Sequence, residues 1–524
     1  MSLKQLLDTG VAAVVLAGAA AIAADPAAAQ NSPSAEQQRL NAQIESLQQQ
    51  IQDLRNQVQA SQREAAPTPR AAIQSGPNGI QLGGVNLKFG GFIEAASIWR
   101  SRNEVSDVGS DYNTGIPFSN SVLAHEHEFR ESARQSRVSG LATGDVDPYT
   151  HLGAYIESDF LSSGTNSNSR ESNSYVPRLR HGYATLDKDD WGLHILAGQS
   201  WSLLTTNANG ILPRQEQIPL TIDAQYVEGF NWKRQPQLRI VENFGSRLWA
   251  GLSLESPQGS LAPNVVANGA GTNAQPNANN NGNSAGLLNN TTQFTNDIAP
   301  DVIAKLALDP GFGHYELKGL ARIFTDHTGV VAGVANGQNN AVWGYGVGAA
   351  ATLPIIPKLV DFQLSGLAGR GIGTYGSGQL PDVAQTVQGK LEAVPEIQAL
   401  VGIVTHPFVG NDTYVYGGWE HAERTATSAA SQTATGALTA IGYGAGGANV
   451  SGCGVVGGTC NVQTQDLKQV AAGTWQDVYK GAYGRFTLGL QGSYIERDAF
   501  KGAGGIAPST NEVIVMTSIR YYPF

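Results

Sequence analysis

The chain has 524 residues, a formal net charge of −10 at pH 7, only 15% charged residues and 63 glycines. This excludes a nucleic-acid binder, which needs a basic face, and it does not describe a string of ordinary helical domains. Arginine outnumbers lysine about two to one, and the guanidinium is the side chain suited to planar, bidentate recognition of anions.

The N-terminus has the layout of an export signal. Lys4 precedes an almost purely apolar run of small residues, Val11 to Ala24, and Ala27-Ala28-Ala29 then offers a cleavage site before Gln30. Residues 1–29 are expected to be removed; an uncleaved anchor is the alternative, although the run falls short of the ~20 residues a span needs. No later segment is apolar enough for a transmembrane helix, so any membrane residence must use strands. Within residues 30–65, Leu40, Ile44, Leu47, Ile51, Leu54 and Val58 follow a 4-3 spacing with β-branched residues and leucine alternating. That is a coiled-coil seam for oligomerisation, and its core pattern leans toward two strands. Pro67, Pro69 and Gly76-Pro77-Asn78-Gly79 then break the helix, making 66–82 a linker.

From residue 83 to 524 the period changes to two. Gln237 to Glu255 alternates without a phase slip, which predicts one long strand. Val302, Ala304, Leu306 and Leu308, then Trp343, Tyr345, Val347 and Ala349, then Phe486, Leu488 and Leu490 repeat the pattern. Soluble sandwiches alternate too. Long strands, connections that switch between short and long, and Trp99, Trp191, Trp232, Trp419 and Trp475 near strand ends favour an outer-membrane type barrel. Turns are expected near Gly144–Pro148, Asp187–Asp190, Arg234–Pro236, Asp309–Gly313, Leu353–Lys358, Thr405–Asn411 and Lys480–Ala482. Loops are expected near 101–127, 161–174, 200–223, 256–299, 326–340, 371–393, 424–472 and 496–511. The expected fold is all-β: a transmembrane antiparallel barrel of about 16 strands preceded by a short helical coiled coil, with both ends on the same side of the membrane. The chain stops on SIRYYPF. In a closed sheet the last strand must pair with the first, and Val513, Val515, Thr517, Ile519 and Tyr521 form its more apolar face, with Phe524 out of phase.

A pore narrows where an outer loop folds inward, and Asn207 to Glu216 is the candidate. It carries Arg214 and Glu216 and leads to Asp223. Arg178 and Arg180 share a face, as do Arg130 and Arg134, while Arg137 has the other parity. Arg239, Arg247, Arg322 and Arg485 lie opposite apolar positions and are placed inward. Rings of basic side chains favour anions; guanidiniums bracing the wall through carboxylates are the competing role. His125-Glu126-His127-Glu128 is not spaced to put two histidines on one helix face and reads as a solvated loop. Asp145 and Asp147 read as a polar turn rather than a Ca²⁺ site. Cys453 and Cys460 enclose GVVGGT and are expected to pair in an exported chain. No Ser–His pair has a spacing that singles it out, so neither an enzyme nor a cofactor is expected.

SARQSR (Ser132–Arg137), LAGQSWSLL (Leu196–Leu204), YKGAYGRFTLGLQGSYIERDAF (Tyr479–Phe500) and the terminal SIRYYPF resemble trimeric outer-membrane porins, most of all the DcaP-like group with its N-terminal periplasmic coiled coil. The resemblance implies a Gram-negative bacterial outer-membrane protein, lipid-embedded and homotrimeric. It further implies passive uptake of small hydrophilic solutes, with a preference for anions such as dicarboxylates. The final aromatic resembles the signal by which the barrel assembly machinery recognises such chains. Trimer competes with the two-stranded lean of the seam, and the larger barrel interface decides for trimer. A sugar-selective pore would want lumenal aromatics, for which Trp201 and Trp249 are the candidates. A plugged structural or adhesive barrel would want bulky inward residues, where many inward positions are Gly, Ser, Thr, Asn or Arg.

Overall fold

The computed structural model describes residues 79–523 except 163–174, 246, 263–296, 329–337, 387–388 and 433–437, together with Ser46, Gln49 and Gln50. The export signal, the seam from Leu40 to Val58 and Phe524 lie outside the described residues.

Sixteen antiparallel strands close a barrel. They are β1 (Val85–Arg100), β2 (Glu128–Ser132 continued by Arg137–Asp147), β3 (Thr150–Asp159), β4 (Arg178–Lys188), β5 (Leu193–Trp201), β6 (Arg234–Phe244), β7 (Leu248–Glu255) and β8 (Asp301–Leu308), followed by β9 (His314–Thr328), β10 (Gln338–Ile356), β11 (Val360–Arg370), β12 (Pro395–Thr405), β13 (Asn411–Ala422), β14 (Thr464–Gly481), β15 (Gly484–Ala499) and β16 (Ser509–Tyr522). Gly79–Leu82 only flanks the start of β1. Closure runs through Ile93 opposite Tyr521 and Arg100 opposite Ile514. The aromatic C-terminal motif is therefore a seam residue set, with β15 on its other side. Short turns gather at one end of the barrel and long loops at the other: loop 1 (101–127), loop 3 (202–233), loop 6 (371–394) and loop 7 (423–463) are the ones that matter below.

One expectation is corrected by the register. Gln237 to Glu255 is not one strand: β6 and β7 form a hairpin turning at 245–247, and no turn lies at Arg234–Pro236, where β6 has already begun. Phe244 faces Leu248 and Leu238 faces Leu254, so partners have equal parity. A hairpin loop with an odd number of residues preserves the odd–even sense of the side chains, because cross-strand partners must share a face. Gly245 supplies the left-handed backbone, at φ 67°. The strand expected between 223 and 234 does not exist; those residues belong to loop 3. The two errors offset each other in the count of sixteen.

The outward face is apolar. Leu238, Ile240, Leu252, Leu254, Leu306, Leu308, Trp343 and Val347 are all exposed, which water would penalise and lipid would not. Trp99 and Trp191 are exposed and Trp419 shares the outward parity of Val415. Trp475 was expected in the same girdle but points inward, its Nε1 donating to Leu220 O at 2.7 Å. Trp232 lies in loop 3.

Strand β2 is broken at 133–136. Its first half pairs with β1 as Ala96–Ser132 and its second as Phe92–Arg137, a slip of one residue. A slip of one inverts facing, so Arg130, on the Ile98 side, and Arg137, opposite Phe92, both turn to the lumen despite opposite parity.

The lumen is partly filled from the loops. Tyr112 and Ile116 of loop 1 and Ile222, Val227 and Phe230 of loop 3 pack with Ile98, Trp201 and Tyr414 of the wall in one buried cluster. Small inward residues on the strands are the seats for these loops. A Cβ at Gly418 would stand 2.0 Å from the Glu228 carbonyl oxygen of loop 3, and one at Gly346 would stand 3.0 Å from Ile372 of loop 6. The expectation that small inward positions mean open space is thereby corrected: part of that space holds backbone.

Candidate functional site

Loop 3 leaves β5 and crosses the barrel. At its start Asn207 N donates to Glu316 of β9 at 2.8 Å and Gly210 N to Asp309 at 2.9 Å. On the far side Asn231 Nδ2 donates to Gln398 of β12 at 2.9 Å, Gly229 N to Glu420 of β13 at 2.8 Å, and Glu228 N to Gln469 of β14 at 3.0 Å. Gly229 has φ 78° and lies so close to Ala399 O that a Cβ would stand 2.1 Å from it, so only glycine allows that approach. The loop is held on both walls by charged or amide groups that face inward from the sheet.

Between loop 3 and the turn end of the barrel lies a cavity of about 390 Å³. Arg137, Arg180, Arg214, Arg485 and Arg520 line it, with Glu157, Glu216, Asp223, Asp412 and Asp477. The two signs do not cancel atom by atom. Arg180 is held by Glu157 at 2.5 Å and Asp159 at 2.9 Å, and Arg520 by Glu94 at 3.0 Å. Arg137 Nε makes no hydrogen bond although buried, nor does one oxygen of Glu216. Just beside the lining, Arg234 lies over the Trp201 ring at 4.5 Å and also keeps a buried nitrogen, Nη1, without a partner. Buried donors left in this state are costly unless something polar reaches them.

The residues expected from sequence divide into three groups. Arg180, Arg214, Glu216, Asp223 and Arg485 line the cavity. Within it, Arg214 lies 5.8 Å from the Tyr155 ring centre, and Arg485 stacks on Tyr522 at 4.0 Å. Asp223 is also a clamp: Ser110 Oγ of loop 1 donates to it at 2.6 Å. The second group braces. Arg178 grips Asp159 with Nε at 2.9 Å and Nη2 at 2.7 Å. Arg239 donates to Gln237 at 3.0 Å and to Trp201 O at 2.5 Å. Arg322 bridges Asp382 of loop 6 at 3.0 Å and Asp301 of the wall at 3.2 Å. Arg130 pairs with Glu128 at 3.1 Å and is half exposed. The third group is misplaced. Arg247 was expected inward and sits exposed in the 245–247 turn. Arg134 shares no face with Arg130, because the strand breaks between them. It donates to Asp107 at 2.9 Å, stacks on Tyr175 at 4.0 Å and borders a groove on the outer wall.

Sequence reasoning missed Arg137, Arg234 and Arg520. The signal for Arg520 was present, since it alternates with the outward Ile519 and Tyr521. Arg234 was hidden by the false turn, and Arg137 by the unseen slip. Elsewhere His125 and His127 contact the loop carbonyls of Ser119 and Ser101 at 3.0 and 3.1 Å, while Glu128 is a strand residue paired with Arg100 at 2.8 Å. Asp147 accepts from Tyr149 N at 2.9 Å, forming the expected polar turn. Cys453 and Cys460 form a disulfide. The hairpin it closes docks on loop 1 through Gly457 N to Asn120 O at 2.8 Å.

No protein-family profile matches the sequence, and no curated protein matches it. Solved structures do. The outer-membrane channel DcaP of Acinetobacter baumannii aligns over 85% of this chain and 100% of its own, with TM-score 0.56 and 16% identity. The chain has the fold of the DcaP channel. An anion-selective porin from Comamonas acidovorans also aligns over 84% of this chain and 99% of its own, at TM-score 0.43 and 9% identity. So does OmpT of Vibrio cholerae, in its trimer form, with TM-score 0.42 and 9% identity over 84% of this chain and 99% of its own. The DcaP likeness extends the expected resemblance to the whole barrel; the coiled coil lies outside the described residues.

Proposed function

We propose that the protein is an outer-membrane diffusion porin of a Gram-negative bacterium that passes small hydrophilic solutes and prefers anions such as dicarboxylates. The observation that carries this is the lumenal cavity bordered by guanidiniums with unpartnered donors, inside a closed barrel whose exterior is apolar. A passing carboxylate offers the acceptors that Arg137 lacks, and two carboxylates can engage Arg137 and the Arg485–Arg520 wall in turn. The turns and the coiled coil then lie in the periplasm, the loops outside.

The protein is read as a homotrimer in outer-membrane lipid, inserted by the barrel assembly machinery through β16. In support, the break in β2 leaves an outer groove bordered by Ser97, Glu131, Arg134 and Thr517, polar groups that suit a protein neighbour better than lipid. Removing Glu36–Ala60 is expected to leave the trimer intact; monomers on native gels would give the seam the assembling role.

The test is conductance of the purified protein in a planar bilayer under a KCl gradient. Steps closing in threes with a reversal potential on the anion side support the proposal. A silent bilayer with folded protein favours a plugged barrel, for which the packing of loops 1 and 3 inside the lumen speaks.

A further inference from the structure

Tyr226 stands out within loop 3. It is not glycine, yet its φ is 68°, in the left-handed region, which costs a bulky side chain energy unless its surroundings fix it. Its surroundings fix it. The ring is buried, 5.1 Å from Phe230 and 6.1 Å from Trp201. Tyr112 Oη of loop 1 donates to its carbonyl at 3.3 Å, and its own N–H caps the turn onto Asp223 O at 3.1 Å. This backbone aims the phenol at the barrel wall. There it lines the cavity together with Arg180 of β4 and Arg137 of β2, while Arg234 of β6 lies over the ring of Trp201, against which Tyr226 packs. Among the described residues Arg137 and Arg234 each keep a nitrogen without a hydrogen bond, as does Arg520 of the same cavity region, and His181 keeps Nδ1 unpartnered as well.

A phenol that borders a cavity with Arg137 and Arg180, one ring away from Arg234, offers its oxygen where a carboxylate oxygen would bind. Resting on the anion-preferring reading above, we propose that the Tyr226 hydroxyl is a built-in stand-in for the solute's anionic oxygen, seated in the Arg137–Arg180–Arg234 subsite, which a passing anion must displace. Tyr226 is then a specificity-determining residue of the pore. As a neutral phenol it fills the subsite without cancelling its charge, and as a phenolate it closes the subsite to anions.

The charges facing the phenol are mixed. Arg137, Arg180 and Arg234 supply positive charge from the wall; Glu157 and Asp159 tie up Arg180; Asp223 lies in the same loop segment. Burial raises the phenol, but Arg180, Arg137 and Arg234 outweigh it and bring it down to about 8. Anion preference should therefore be full below that pH and decline above it.

The experiment compares wild type with Tyr226→Phe in a planar bilayer under a KCl gradient, at about pH 6.5 and about pH 9.5. Phenylalanine keeps the ring contacts and removes only the hydroxyl. Wild type is expected to lose at least about half of its anion-to-cation permeability ratio at the higher pH, while Tyr226→Phe holds its ratio. The same loss in both, or none in wild type, overturns the proposal. A wild type without anion preference at the lower pH would instead refute the selectivity reading on which it rests. Phenolate absorbance gives a second readout that needs no channel activity. The wild-type minus Tyr226→Phe difference should show one tyrosine ionising near pH 8, and saturating succinate should shift it upward, because the two anions share one subsite. Ionisation unmoved by succinate sinks the shared subsite. Arg234→Gln should raise that ionisation out of this range; an unchanged titration would equally count against the cluster.

Discussion

Two stretches of the same inner wall hold buried basic residues and use them differently. Along β8 and β9, Lys305 and Lys318 share Glu316 at 2.9 and 3.3 Å. Both also donate to the start of loop 3, Lys305 to Thr205 O at 2.6 Å and Lys318 to Leu204 O at 2.7 Å. Arg322 is closed off by Asp301 and Asp382 in the same way. Along β2 and β6, Arg137 lines the cavity and Arg234 lies just beside it, each with a donor unspent. Identical charge becomes a brace where a loop or a neighbouring strand brings a carboxylate or carbonyl, and keeps donors open where it does not. Desolvation forces this choice, because a buried charge must find a partner.

Breaking the braced wall should have the largest effect. Arg322→Ala leaves Asp301 and Asp382 buried and facing each other, and removal of one partner from such a cluster costs about 3–5 kcal/mol. The heat-induced gel shift should move to lower temperature and loop 6 should become cleavable by protease. A wild-type midpoint would show that these carboxylates simply take up protons at no cost.

The contrasting substitution lies on the open wall. Arg137→Gln should lower the anion-to-cation permeability ratio about twofold with little change in the thermal midpoint, since its Nε makes no hydrogen bond that could be lost. Neutralising Arg178 and Arg180 together should lower both ratio and midpoint, because Asp159 loses both of its guanidinium partners. If the two variants behave alike, the distinction between bracing and free guanidiniums fails.

Smaller effects fall outside the lumen. Cys453→Ser with Cys460→Ser should loosen the loop 7 hairpin locally by about 2 kcal/mol, read as faster proteolysis there with the barrel midpoint unchanged. Loss of barrel stability would mean that the contact between loops 1 and 7 supports the wall. The smallest concerns His406, in the turn between β12 and β13. Burial lowers its imidazole, but Asp412 at 2.6 Å and Asp361 at 3.3 Å outweigh that and raise it. A raised folded value contributes stability below the ordinary imidazole range, and that contribution is lost as pH rises through the folded value. The turn should thus resist proteolysis better in mild acid than in mild base, and His406→Gln should remove the difference.

The outward face was legible residue by residue, as at Val302, Leu306, Trp343 and Leu488, because lipid imposes one rule on every second position. The inward face was legible only in part. Arg180 and Arg485 could be placed by parity, but parity is local. It passed unaltered through the turn at 245–247 and was inverted by the break at 133–136, and neither event marks the sequence. The tryptophans show the same limit: Trp99 and Trp475 both sit near strand ends, and only the register tells lipid from lumen.

The sequence by itself determined a strand-built barrel, an even strand count, closure through SIRYYPF and the pairing of Cys453 with Cys460, since each follows from periodicity or short separation. The tertiary structure alone decided which guanidiniums are spent on carboxylates and which remain open. Arg322 finds Asp382, 60 residues on, and Tyr226 of loop 3 comes to share a cavity with Arg137 and Arg180 of two different strands. Such partners are set by how loops 3 and 6 seat against glycines of the wall, and that depends on contacts far apart in the chain that no local pattern encodes.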